Sequence, residues 1–202
     1  VKFIDCIDKF AHLVPGASDP EMVEALRDAV IEFCKRTHVL TYWSDKSSAS
    51  LSFDIAGLNA MVPVAVFQAF INGKEADVFD LNADEINDAD TENPVLTYRT
   101  DRLYDTLAIA PPPATSVPVR LLMSFMPHPD ANEYPDQLWI MRREALKAGA
   151  LYRLLSAPGT TYVNESAAAN WLRVFDDGVS SATTAASVNR RTNRARLRVT
   201  PA

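Results

Sequence analysis

The stretch Pro135–Ser156, PDQLWIMRREALKAGALYRLLS, constrains the fold of this chain most. Leu138, Met141, Ala145, Ala148, Tyr152 and Leu155 recur at helical spacing. That spacing predicts one helix of about six turns with a single apolar stripe. Arg142, Arg143 and Lys147 fall off the stripe and are expected in solvent. Ala148, Gly149 and Ala150 leave almost no side chain at mid-helix. A glycine there costs about 1 kcal/mol relative to alanine, which close approach by a second helix would offset. Nothing in the stretch is chemically reactive. Its context is a sharp Ala157-Pro158-Gly159 turn, a further helix and a basic tail.

Helical patterns also open the chain. Phe3, Ile4, Ile7, Phe10, Ala11 and Val14 predict a short first helix that stops at Pro15-Gly16. Ser18-Asp19-Pro20-Glu21 is a helix start: Ser18 or Asp19 caps, Pro20 fits the first turn, and Glu21 can close a capping box on Ser18. The helix is expected to run to Thr37, with Val23, Leu26, Val30, Phe33 and Cys34 on its apolar face. Near the other end, Asn164 is expected to cap a last helix reaching about Asn189. Ala168, Trp171, Leu172, Phe175 and Val179 supply its packing face. Beyond Val179 the apolar residues shrink to Ala182, Ala185, Ala186 and Val188, too little bulk for a core of their own.

Between these helices the period changes to two. Leu51, Phe53 and Ile55 alternate with polar neighbours, and Val62–Ile71 reads as a strand. Asn72-Gly73 is the strongest hairpin signal and should turn the chain into Glu75–Leu81. Val95–Arg99 and Leu103–Ala110 read as a second hairpin, closed by Pro111-Pro112-Pro113. Val117–Met126 is the last strand, with Val117, Val119, Leu121, Met123 and Phe125 on one face. The expected class is α+β: a helical bundle from residues 1–43 and 129–202, with a basic C-terminal tail, and a β-rich insertion at 44–128, most simply a small antiparallel sandwich.

Composition narrows the function classes. The 202 residues are 48% apolar and 23% charged, as in globular chains, and no apolar run approaches a membrane span. Val1–Phe3 followed by Asp5 and Asp8 does not fit a secretory signal, so a cytosolic product with reduced Cys6 and Cys34 is expected, a Cys6–Cys34 disulfide being the alternative. No nucleophile elbow, phosphate loop or dinucleotide fingerprint occurs. His12, His38 and His128 have no metal-ligand spacing. Glu75–Glu92 carries eight acids and no base. It lacks the glycine and terminal Glu of a calcium loop, so a solvated acidic loop is the better reading. No catalytic, cofactor or metal role is expected for any residue.

The formal charge of −6 is unevenly divided. Up to Pro135 there are 10 Lys/Arg against 21 Asp/Glu; from Asp136 on there are 10 against 5. The sign change fits a surface that meets its own copies head to tail, or a partner addressed by one end. The basic end concentrates in Arg190, Arg191, Arg194, Arg196 and Arg198. These could bind nucleic-acid phosphates, pair with carboxylates of a protein partner, or form a solvated end. The tail has no aromatics to stack on bases, which favours the protein partner.

Four stretches together resemble a known family. They are LVPGASDPEMVEALRDAVIEFCKRT; LNADEIND with NPVLTYRTDRLYDTLAIAPPP; VPVRLLMSFMPHPDANEYPDQLWIMRREALKAGALYRLL; and the alanine-rich helix with Trp171 and Phe175 before the arginines. In this order they resemble the head-to-tail adaptor (connector) proteins of tailed bacteriophages, most closely the tail tubular protein A versions of short-tailed phages. The likeness lies in the order of elements and in AGALYRLL. It implies a helical bundle with a β-insertion and a structural virion protein. It also implies a ring of its own copies, commonly a dodecamer, at the head–tail junction. That ring joins the portal protein to the tail tube or nozzle and surrounds double-stranded DNA without reading its sequence. It implies no cofactor and no membrane. Portal binding then falls to Arg190, Arg191, Arg194, Arg196 and Arg198, and helix packing to Leu138, Ala145, Ala148, Gly149, Tyr152, Leu155, Trp171 and Phe175. The long insertion departs from members that carry little β-structure. The alternatives are a β-sandwich binding module for a host surface or glycan, for which Tyr98 and Tyr104 are the candidate platform, a small hydrolase, and a nucleic-acid-binding protein.

Overall fold

The computed structural model describes residues 1–51, 61–80, 95–98 and 107–197, with side chains up to 188 in the last stretch. Helix and strand are both prominent, and the chain divides into two compact units. One unit is Val1–Val39 with Pro129–Ala202; the other is Leu40–His128.

The first unit is helical. The expected opening helix is interrupted: α1 spans only Ile4–Ile7, and a single 3-10 turn follows at Ala11–Leu13. Phe10 leaves the helical region at φ −140°, and Phe3, Ile7, Phe10 and Val14 are all buried, while Ile4 is 47% exposed. Helix α2, Asp19–Thr37, starts as expected. The Ser18 amide donates to the Glu21 carboxylate at 2.7 Å, and Pro20 sits in the first turn. The helix stops where His38 turns left-handed (φ 52°) and the Thr37 hydroxyl donates to the Phe33 carbonyl at 2.7 Å. Met22, Leu26, Ala29, Val30, Phe33 and Cys34 are buried; Val23, expected among them, is only half-buried.

Helix α3, Asp136–Ser156, packs against both α2 and the last helix, α4, Glu165–Leu197. Asn164 caps α4 by accepting the Ala167 amide at 3.0 Å. α4 continues to Leu197, well beyond the Asn189 expected from the pattern. The single stripe assigned to α3 is also corrected. Met141 is 62% exposed, whereas Leu146, Ala150, Leu151 and Leu154 join the core. Two neighbouring helices need a wider buried arc than one stripe supplies.

The second unit is a six-stranded sheet in the order β1-β6-β2-β3-β4-β5. The strands are β1 Thr41–Ser47, β2 Met61–Ile71, β3 Lys74–Asp80, β4 Val95–Tyr98, β5 Ala108–Ala110 and β6 Pro118–Pro127. The sheet curls, so that residues of β2 through β6 share one core: Val66, Ala69 and Ile71 meet Leu96, Ile109, Leu121 and Met123. Asn72 and Gly73 both have positive φ (50° and 78°), the two-residue turn that matches strand twist. β2 and β3 pair antiparallel from Ile71↔Lys74 outward. β6 has its expected face in the core, and Leu122 and Ser124 on the opposite face are buried too, because β6 lies between β1 and β2.

Three expectations change here. The insertion starts at Leu40 rather than residue 44, because β1 begins at Thr41. The sheet is not wholly antiparallel, since β3 and β4 pair parallel, Asp77↔Val95 to Asp80↔Tyr98. The described strands form one curled sheet in place of two stacked ones. Leu51 is buried in the core, but Phe53 and Ile55 lie outside the described residues, as do residues 81–92 of the acidic stretch and residues 99–106 of the expected second hairpin.

Candidate functional site

The helical unit holds the candidate site at the junction of α2, α3 and α4. Gly178 lies against Ala145, and a Cβ on Gly149 would meet the Phe175 ring at 2.7 Å and Ala29 Cβ at 2.9 Å. These contacts make α3 and α4 antiparallel and bring α2 onto the same spot. The small residues of AGA therefore serve a backbone-level approach from two sides. In this register Asp136, at the start of α3, falls beside about residue 187 of α4. Helix α4 thus continues roughly ten residues, or about 15 Å, past that point.

Positions 190, 191, 194 and 196 lie on this continuation. On an ideal helix 190, 191 and 194 share about one third of the circumference, and 196 falls opposite. Their side chains and the whole of Arg198 lie outside the described residues. The segment read as a tail is therefore a helix over most of its length.

Phe175, 1% exposed, is the centre of the junction. Its ring meets Phe33 at 6.2 Å. The guanidinium groups of Arg36 and Arg153 stand 5.7 and 5.8 Å from its centroid. Glu32 pairs with both arginines, with Arg36 at 3.1 Å and with Arg153 Nη2. Arg36 also reaches Asp176 at 2.8 Å, and Arg153 donates to the Gly149 carbonyl at 2.8 Å. Burial works against the Arg36 charge, but Asp176 and Glu32 outweigh it and raise its pKa. Two cations and two carboxylates thus close around one aromatic ring and tie three helices.

Of the residues assigned to helix packing, Leu138, Ala145, Ala148, Gly149, Leu155 and Phe175 are buried, whereas Tyr152 and Trp171 are only half-buried. Lys147, expected in solvent, lies 5.9 Å over the Trp171 ring. The residues missed are Glu32, Arg36, Arg153 and Asp176. Glu32 and Arg36 carry a local signal, the i,i+4 pair. Arg153 and Asp176 carry none, because their partners are brought by tertiary packing.

Other chemistry is sparse. Both cysteines are free thiols. Burial pushes Cys34 up to about 12 and also raises Cys6, which accepts a hydrogen bond from the Tyr134 hydroxyl at 3.5 Å. Among the described residues no group of three His, Cys, Asp or Glu is placed to hold a metal ion. No described helix is long and apolar enough to cross a membrane. In the sheet unit, Tyr98 is buried in the core and cannot serve as an aromatic platform, and Tyr104 lies outside the described residues. Trp43 stands beside Phe70 at 6.0 Å, but Arg120 covers its ring at 4.8 Å and Asp45 holds Arg120 at 3.5 Å. A groove of about 440 Å³ between Ser48–Leu51 and Leu107–Pro113 has no charged side chain among its described lining residues.

No protein-family model matches the chain, and no curated protein matches it.

Proposed function

We propose that this chain is a structural virion protein, the head-to-tail adaptor of a tailed bacteriophage. Copies form a ring, a dodecamer, at the head–tail junction. The ring joins the portal ring to the tail tube or nozzle and surrounds the path of packaged DNA. The two chain ends form its helical bundle, and the β-rich unit is the insertion. The observation that carries this reading is the continuation of α4 past the start of α3, with four arginine positions along it. Past that point α4 has left α3 behind, which makes the continuation the candidate docking surface. Arginine's planar fork suits the carboxylates of a protein partner. The excess of acids up to Pro135 supports a lumen that repels DNA phosphates.

The test is sedimentation of the purified protein alone and with the portal ring encoded in the same genome. Co-sedimentation in a fixed ratio is expected. Replacing Arg190, Arg191, Arg194, Arg196 and Arg198 by Ala should abolish it without changing the fold. Unchanged docking by that variant removes the arginine segment from the reading, and a wild-type chain that never docks overturns the reading itself.

A further inference from the structure

The α3–α4 seam poses a problem of register. Ala145 and Gly149 on α3 meet Gly178 and Phe175 on α4, and Ala182 and Ala186 continue the buried line of α4. Small residues let backbones approach closely but interlock poorly. A slip of one residue turns a helix by about 100° and moves it about 1.5 Å. Such a slip would turn positions 190, 191 and 194 by about 100° relative to α3. Phe175 and Val179 are the larger buried side chains along this line, and the Phe175 ring sits in the notch left by Gly149 and Ala29, where it acts as a key.

The charged groups make the key directional. Arg36 comes from α2, Arg153 from α3 and Asp176 from α4, and Glu32 links the two arginines. Their side chains are 20–45% exposed, so each pair alone adds little stability. Geometry is what the cluster supplies. Arg36 meets its carboxylates through separate nitrogens, Nη1 to Glu32 and Nη2 to Asp176. A rotation of α4 by about 100° would carry the Asp176 carboxylate away from Nη2. Arg153 adds a bond from Nη1 to the Gly149 carbonyl.

We infer that Glu32, Arg36, Arg153 and Asp176, closed around Phe175, are positioning residues that fix the register and rotation of α4, and through it the direction of the arginine segment. The cluster acts within the helical unit. Its consequence for docking rests on the adaptor reading.

Spin labels at Gln137→Cys on α3 and Ser181→Cys on α4 report the register by pulsed dipolar spectroscopy. The parent protein should give one narrow distance. The double variant Glu32→Gln with Asp176→Asn should broaden or split it while the melting temperature stays within about 4 °C. Asp176→Glu, which keeps the charge, should keep the distribution narrow. The double variant should also lower portal-ring affinity at least tenfold. An unchanged narrow distance in the double variant overturns the inference. A broadened distance with a parent protein that shows no portal affinity sustains the inference and overturns the adaptor reading. Should the double variant not fold, Arg36→Lys keeps the charge and loses the fork; a narrow distance there overturns the inference equally.

Discussion

The α3–α4 seam of the helical unit and the core of the sheet unit solve packing in opposite ways. The helical unit brings its backbones together over atoms that are missing: Gly149 admits Phe175 and Ala29, and Gly178 admits Ala145. The sheet unit curls around side chains that are present, with Leu96, Leu121 and Met123 fully buried in its core. The seam should therefore fail when atoms are added, and the sheet core when atoms are removed. The three tryptophans separate the readouts, since Trp43 is in the sheet unit and Trp139 and Trp171 are in the helical one.

The largest effect is expected from removal in the sheet. Leu121→Ala should cost about 2–5 kcal/mol in denaturant unfolding followed by Trp43. A cost below about 1 kcal/mol would mean that the curled core collapses easily, and the contrast would fail. Insertion in the helices comes next. Gly149→Val should cost about 1–3 kcal/mol, read by Trp171, because its Cβ meets Phe175 and Ala29 inside normal contact distance. The helix propensity gained over glycine offsets part of that. A neutral result would show that the seam yields. Smaller is Gly73→Ala. Nothing lies within 4 Å of a Cβ there, so the penalty is the positive φ alone, about 1 kcal/mol. A neutral Gly73→Ala would mean that the turn is not held in its two-residue form.

The smallest effect at neutral pH belongs to Cys34. Its thiol is held neutral, with the pKa pushed from an ordinary 9.0 up to about 12. Between those values the unfolded chain has released a proton that the folded chain retains. Stability should therefore fall as pH rises through that window and be unaffected below it. Cys34→Ala should make that slope shallower in alkaline unfolding curves, the rest coming from Cys6 and Tyr134, which burial also raises. An identical slope would assign it to another group.

Legibility in the sequence followed the same division. The capping box at Ser18 and Glu21, the cap at Asn164 and the turn at Asn72-Gly73 were readable because each is a contact between residues close in the chain. Met141 was misplaced because periodicity locates an apolar stripe but not the number of neighbours it meets. Arg153 and Asp176 left no trace, since each finds its partner across more than 100 residues. The parallel β3–β4 pairing was likewise invisible, as strand pattern says nothing about direction. The helical reach of α4 to Leu197 was underestimated because Ser, Thr and Asn over 180–193 are weak helix formers.

That parallel pairing bears on how the chain tolerates change. Consecutive strands that run the same way need a connection long enough to carry the chain back to its starting end, commonly a dozen residues or more. Here Asp80 ends β3 and Val95 begins β4, with 81–94 between them. That requirement is on the number of residues and not on their charge. Val95 lies beside Asp77, so the return from Asp80 spans three residues of strand and one strand spacing, roughly 11 Å. A connection cut below about five residues would leave β4 unable to reach its place, and with it Leu96 and Tyr98 in the core. Topology thus sets a lower bound on the length of the stretch and none on its acidic character.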